Sequence, residues 1–274
     1  MTDTRQQRNE VFGASNNNLP TQPPPNDIPV ADVPLPSGGI IYPKDTPLHM
    51  AETITIRAMT AMDEDILVSQ SYAKKGTNIT ELIKACVMDK KINVRDMISG
   101  DRNAIMVALR ITGYGSEYIV EVSCPKCDNK QEVTFDLANM PIKKLEIEPT
   151  NVGENAFDVI LPVSGKQAQV RFLNGADEED IMVTMDRKKK KGFEQTDLIT
   201  SRLLYSIVSI DGKVDKMEIS RHIRTMPAGD SHFIRKFLNK NEPSIELKGD
   251  FECKSCDTLE VIDLPITAEF FWPR

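Results

Sequence analysis

The sequence predicts an α+β protein made by tandem duplication of one unit, in which a strand leads into helices and the helices into a β-hairpin. The two hairpins are joined in one zinc-ribbon-like four-cysteine site. Three observations carry this expectation. Two C-x-x-C knuckles, Cys124-Pro125-Lys126-Cys127 and Cys253-Lys254-Ser255-Cys256, lie 129 residues apart (253 − 124). The same offset of 129 relates the stretch Val94 to Asp101 to the stretch Ile223 to Asp230, and holds without a gap through Asp128 and Asp257. Apolar residues fall on helical spacing within this block, and alternating stretches flank each knuckle.

Taken in order, residues 1–34 read as an extended or disordered arm. Asn16-Asn17-Asn18, Pro23-Pro24-Pro25 and the prolines at 20, 29 and 34 leave little to bury. Leu35-Pro36-Ser37-Gly38 and Leu161-Pro162-Val163-Ser164-Gly165 open the two copies. Ile54 to Arg57 and Ala168 to Arg171 are the strands that follow, 114 apart. The run Asp63 to Ile66 resembles Glu178 to Ile181 at 115, and Lys74-Lys75-Gly76 resembles Lys190-Lys191-Gly192 at 116. Leu82, Ile83, Cys86 and Val87 match Leu203, Leu204, Ile207 and Val208 at 121. An offset that grows from 114 to 129 is what loop insertions in the second copy produce. Ala104, Ile105, Ala108 and Leu109 stand opposite Phe233, Ile234, Phe237 and Leu238, one face of a helix. Asp101 and Asp230 precede these stripes, where a carboxylate can cap free amides. Tyr118 to Val122 with Gln131 to Leu137, and Ile245 to Phe251 with Leu259 to Leu264, are the hairpin strands around the knuckles. The domain expectation is an arm at 1–34, a first repeat at 35–140 and a second at 141–274.

The duplication gives the wide cysteine spacing a cause. One C-x-x-C cannot satisfy a tetrahedral zinc ion, but one from each copy can, so Cys124, Cys127, Cys253 and Cys256 are expected to ligate a single structural zinc. Four protein thiolates leave no open position for water or substrate, and the site is therefore not catalytic. A redox dithiol fits less well, because redox C-x-x-C pairs open a helix after a strand. Cys86 takes a slot that the other copy fills with Ile207, as a small core hydrophobe. His222 and His232 align with Asn93 and Asn103, and His49 stands alone.

Composition narrows the function classes. The chain has 274 residues, 40% hydrophobic and 27% charged, within the ordinary globular range. No apolar run nears the roughly 18 residues of a membrane span, and no signal-peptide core is visible, so a reducing cytoplasm is expected for synthesis. In that setting, paired cysteines indicate metal rather than disulfides. A net charge of −7 gives no general attraction to nucleic acid. The basic run Arg187 to Lys191 follows Asp177 to Asp180 on one helix, acids first and bases last, as the helix dipole favours. No phosphate loop, acid–base pair or small-molecule site is evident.

Leu35-Pro36-Ser37-Gly38-Gly39-Ile40-Ile41-Tyr42, the Gly100-Asp101 helix, Leu109-Arg110 with Gly113-Tyr114-Gly115, and Cys124-Pro125-x-Cys127 together give the chain its likeness. In order and spacing it resembles the T4-type bacteriophage baseplate protein family over residues 33–271. The resemblance implies a structural or assembly protein of the contractile-tail baseplate, in the central hub region, without enzymatic activity. It implies other baseplate, hub and tail proteins as partners, and residence in the phage virion after assembly in the host cytoplasm. The competing reading from the residues is a zinc-ribbon nucleic-acid-binding regulatory protein using the basic run.

Overall fold

The computed structural model describes residues 28–190, 197–264, 266 and 268–272. Strand β1 (Val30–Pro34) pairs antiparallel with β2 (Thr53–Arg57). The loop between them carries Leu35, Ile41, Tyr42 and Leu48 into the core. The last five residues of the expected arm, 30–34, are strand, while residues 1–27 lie outside the described residues. Prolines hid the strand, yet Pro29 precedes it and Pro34 ends it, at an edge where a missing N–H is tolerated. Helices α1 (Ala61–Val68), α2 (Gln70–Lys75) and α3 (Asn78–Cys86) follow, then a 3-10 turn at Val94–Asp96 and the long α4 (Ser99–Tyr114). Helix α4 feeds the hairpin of β3 (Glu117–Ser123) and β4 (Lys130–Asp136).

A short strand β5 (Ile142–Lys143) leads into β6 (Phe157–Ile160), which pairs with β7 (Gln167–Val170). After α5 (Gly175–Lys190) and α6 (Leu198–Ser206), β8 (Ile207–Ile210) joins β7 as a third strand. In the earlier half only a single bridge, Ile56 with Val87, stands at this place. Then come α7 (Lys216–Arg224), α8 (Ala228–Asn241), β9 (Ser244–Ile245) paired with β5, and the hairpin of β10 (Lys248–Glu252) and β11 (Leu259–Asp263). The architecture is mixed, with helices around several small antiparallel sheets.

Specific contacts recur along the chain. Arg57 pairs with Asp63 at 2.6 Å, and Arg171 with Asp177 at 2.7 Å, 114 residues on (177 − 63). Asp63 also accepts from the Thr60 amide at 2.8 Å, and Asp177 from the Asn174 amide at 3.0 Å. These contacts recur at an offset of 114, where the letters of the two helices suggested 115. Helices α3 and α6 begin 120 residues apart (198 − 78), one fewer than the 121 read from the sequence. The slip has a plain origin: Leu82-Ile83 and Leu203-Leu204 are adjacent apolar pairs, so either register matches letters. Strand pairing favours the shorter offset: Val87 bridges Ile56 and Ile207 pairs with Val170, which sets Val87 against Ile207 and Cys86 against Ser206.

Asp101 and Asp230 also behave alike, though not as caps of their own helices. Asp101 accepts from the Ser37 amide (3.0 Å), the Ser37 hydroxyl (2.6 Å) and the Tyr42 hydroxyl (2.6 Å). Asp230 accepts from the amides of Val163 (2.7 Å) and Ser164 (3.1 Å). Each carboxylate pins the Leu-Pro loop of its half across a helix start, where the dipole also favours the charge. The preceding glycines make room for different neighbours: a Cβ on Gly229 would lie 2.7 Å from Val163 Cγ2 in the Leu-Pro loop, and one on Gly100 1.7 Å from the Pro243 carbonyl beside β9.

One hydrophobic core runs through both halves. Ser99 N–H donates to Leu173 O and Gly175 N–H to Met97 O, each at 3.0 Å. Glu179 accepts from Arg95 Nε at 2.9 Å and from the Thr80 hydroxyl, which in turn accepts from Arg102 at 2.8 Å. The 3-10 turn at Ala268–Phe271 returns to the first half. There Phe270 packs edge-on to Tyr118 at 5.2 Å, and buried Arg110 donates to the carbonyls of Phe270, Gly115 and Glu117 at 2.9, 2.7 and 2.8 Å.

Candidate metal centre

Both C-x-x-C knuckles turn in the same way. Cys124 N–H donates to Asn129 O at 2.9 Å and Asp128 N–H to Cys124 O at 3.0 Å. In the second, Cys253 N–H donates to Thr258 O at 3.0 Å and Asp257 N–H to Cys253 O at 2.9 Å. Each turn needs a left-handed residue after its second cysteine, and Asp128 (φ 55°) and Asp257 (φ 52°) supply it. Aspartate enters this region more readily than most side chains, because its short polar group bonds locally.

The hairpins then pack against each other over a small second core. Val122, Cys124, Phe251 and Cys253 are buried there, with Val120, Val133 and Ile262 around them. The Phe135 ring lies directly over Gly249, whose absent side chain makes the space. Gln131 locks the register: its amide donates to Glu252 O at 2.7 Å, and its carbonyl accepts from the Lys254 N–H at 2.9 Å.

This packing gathers Cys124, Cys127, Cys253 and Cys256 until their sulfurs all lie within 4.8 Å of one another. The Cys124–Cys256 pair is at 3.7 Å and the Cys127–Cys253 pair at 3.6 Å. Four sulfurs at about 2.3 Å from a tetrahedral zinc stand about 3.8 Å apart, whereas a disulfide needs about 2.05 Å. The spacing fits a thiolate cage and not a pair of disulfides. Cys124 and Cys253 are buried, Cys256 is half-buried and Cys127 is exposed.

The surrounding dipoles favour thiolate at some of these positions. Amides of Ser255 and Cys256 outweigh burial and hold the Cys253 thiol below its usual range. The Thr258 hydroxyl and amide bring Cys256 down to about 6. The Asn129 amide favours the Cys127 thiolate, but the neighbouring sulfurs of Cys256, Cys253 and Cys124 push it up to about 12. Four anionic sulfurs at such distances repel, and a dication between them removes the conflict. The donor set therefore fits a soft divalent metal held in a closed, four-ligand site. The fifth cysteine, Cys86, sits in the main core, where burial pushes its thiol up to about 11.

Sequence reasoning named all four cysteines that the fold brings together but missed Gln131, Thr258 and Gly249. Only Gly249 left a signal: it stands 129 residues after Val120 (249 − 120), a glycine where the other hairpin has a strand former. The other flagged residues are not drawn together. His49 donates from Nδ1 to the Tyr42 carbonyl at 2.7 Å. In the basic run, Lys188 pairs with Asp197 at 2.9 Å and Lys190 with Asp186 at 2.5 Å, while Lys191 lies outside the described residues. Among the described residues, no helix is long and apolar enough to cross a membrane.

The family model described as "T4 bacteriophage base plate protein" matches residues 33–272. The chain belongs to the T4-type phage baseplate protein family. The match begins inside β1 and takes in both hairpins and the returning 3-10 turn. Membership carries a structural role in the phage baseplate, at the virion tail among other tail proteins. No curated protein and no solved structure matches the chain.

Proposed function

We propose that this baseplate protein works in the central hub region of a contractile tail as a rigid, non-enzymatic connector. On this reading it is a tandem duplication whose units run from β1 to β4 and from β6 to β11. A single structural zinc, held by Cys124, Cys127, Cys253 and Cys256, joins their two hairpins. The convergence of four sulfurs within 4.8 Å from two hairpins 129 residues apart (253 − 124) is the observation that carries it. The recurring ion pairs of Asp63 and Asp177, and the paired loop contacts of Asp101 and Asp230, support the duplication. Both knuckles carry the same left-handed aspartate.

The chemistry follows from closure. Zinc with four thiolates supplies cross-linking and folding free energy, not a reactive site. The residues around it act on shape: Gln131 holds the two hairpins in register, and the Phe135 ring over Gly249 fixes their separation. With the shared core and the returning 3-10 turn, this leaves one stiff body with two related faces for neighbouring tail proteins. Quantitative mass spectrometry of purified virions tests residence in the particle. The proposal expects the chain at a fixed ratio to other baseplate proteins. Its absence from mature particles, with presence in assembly intermediates, would reassign it to a transient assembly role.

A further inference from the structure

The two hairpins share a backbone, so each serves as a reference for the other. On the outer face of the first, Ser123 stands opposite Lys130 and Glu121 opposite Glu132, with Lys130 ion-paired to Glu121 at 3.2 Å. The equivalent outer positions of the second hairpin pair Glu252 with Leu259 and Asp250 with Val261. Leu259 is 73% exposed and Val261 63% exposed. The fold does not require apolar residues there, because the same positions are charged in the other hairpin. Neither side chain packs into the second core, whose apolar members lie on the inner face. Two adjacent outward hydrophobics on a strand edge are what natural sheets otherwise avoid.

The edge is also open. Among the described residues β11 pairs only with β10, and no strand lies on its other side. On the β10 side, the end of that strand is already engaged by Gln131. The surroundings of the free edge are acidic. From Lys248 to Asp263 there are five carboxylates and two lysines, a balance of −3 (2 − 5), against −1 (2 − 3) in the matching stretch from Ile119 to Thr134. The base of the hairpin opens into a cleft of about 1100 Å³ lined in part by Lys248, Asp263, Leu264, Phe271 and Trp272, so apolar surface continues below the strand.

We propose that the outer edge of β11 is the docking site for an extended segment of a neighbouring protein, one that alternates apolar and basic residues. Added as a strand, it would satisfy the free backbone groups of β11. Its apolar side chains would cover Leu259 and Val261 on the outer face, and its basic ones, on the opposite face, would meet Glu260. The inference names a partner chemistry within the baseplate reading and rests on that reading for its setting, but its first test needs no phage.

The test uses the full chain and a synthetic ten-residue peptide alternating valine and lysine, followed by fluorescence anisotropy at low salt. Alternating valine–glutamate and serine–lysine peptides serve as references. The variant Leu259→Lys with Val261→Glu installs the residues of the first hairpin and leaves net charge unchanged. Binding of the valine–lysine peptide to the parent, at least tenfold weaker for both references and for the variant, is expected, with the same urea midpoint for both proteins. Equal binding by the variant, no binding by the parent, or equal binding of the serine–lysine peptide would overturn the proposal. So would a concentration-dependent dimer in sedimentation equilibrium that the variant abolishes, since it assigns the edge to a second copy of this chain. Peptide binding fails or succeeds independently of virion mass spectrometry, so the two readings fall separately.

Discussion

Gly249 is the position where the packing of the two hairpins makes its most quantitative demand. A Cβ placed there would stand 2.1 Å from Phe135 Cε1, 2.4 Å from Cδ1 and 3.1 Å from Cζ. Carbon contacts settle at about 3.5–4.0 Å, so the ring or the strand must retreat by about 1.4 Å or more. Phe135 is buried and cannot swing into solvent without leaving its cavity. Overpacking of this kind costs roughly 1–3 kcal/mol. Backbone preference pushes the other way. Gly249 is not among the glycines with positive φ, so alanine suits the strand and by itself would stabilise by about 0.4–1 kcal/mol. The sign of the result therefore separates the two effects. Gly249→Ala is expected to lower stability by about 1–3 kcal/mol in urea unfolding, with an unchanged m-value. Phe135→Leu removes the ring carbons that meet the new methyl, so the double variant should show a favourable coupling of about 1 kcal/mol. A Gly249→Ala protein as stable as the parent, or more stable, would refute the face-to-face packing that brings the sulfurs together.

Arg110→Met should cost about 2–4 kcal/mol, because three carbonyls lose their donor at once. Hydrogen exchange at Phe270 and Phe271 should accelerate ahead of the hairpin strands, and an unchanged rate there would contradict the pinning role. Burial, reinforced by the Glu178 charge, pushes Glu242 up to about 7 from the ordinary 4.5. A folded-state pKa above the unfolded one means that stability falls as pH rises from about 4.5 to about 7. Glu242→Gln should therefore match the parent near pH 4 and exceed it near pH 8 by on the order of 2 kcal/mol, read from urea midpoints at the two values.

The four clustered cysteines were legible in the sequence because two C-x-x-C knuckles are a chemical signature, readable whatever the 129-residue spacing between them (253 − 124). The helix stripes around Ile105 and Ile234 were legible for a similar reason, since a buried face imposes its period. The register of α3 against α6 was not, because two neighbouring apolar residues in each helix make a one-residue slip invisible to pattern. Strand β1 was obscured by prolines that an edge strand accepts. The partners of Asp101 and Asp230 lay beyond reach for a different reason. Both the Leu-Pro loops and the aspartates were visible, but their contact depends on a loop 64 residues away in the first half (101 − 37) folding across the helix start. Gln131 likewise gains its role only when β10 is beside it.

Metal analysis of the purified chain, isolated under reducing conditions without added metal, addresses the zinc-joined duplication most directly. The account predicts one zinc per chain, released as four thiols are blocked, with loss of both metal and stability in Cys253→Ser. A metal-free parent that is fully folded and indifferent to chelator, or a Cys253→Ser protein that keeps stoichiometric zinc and full stability, would contradict it.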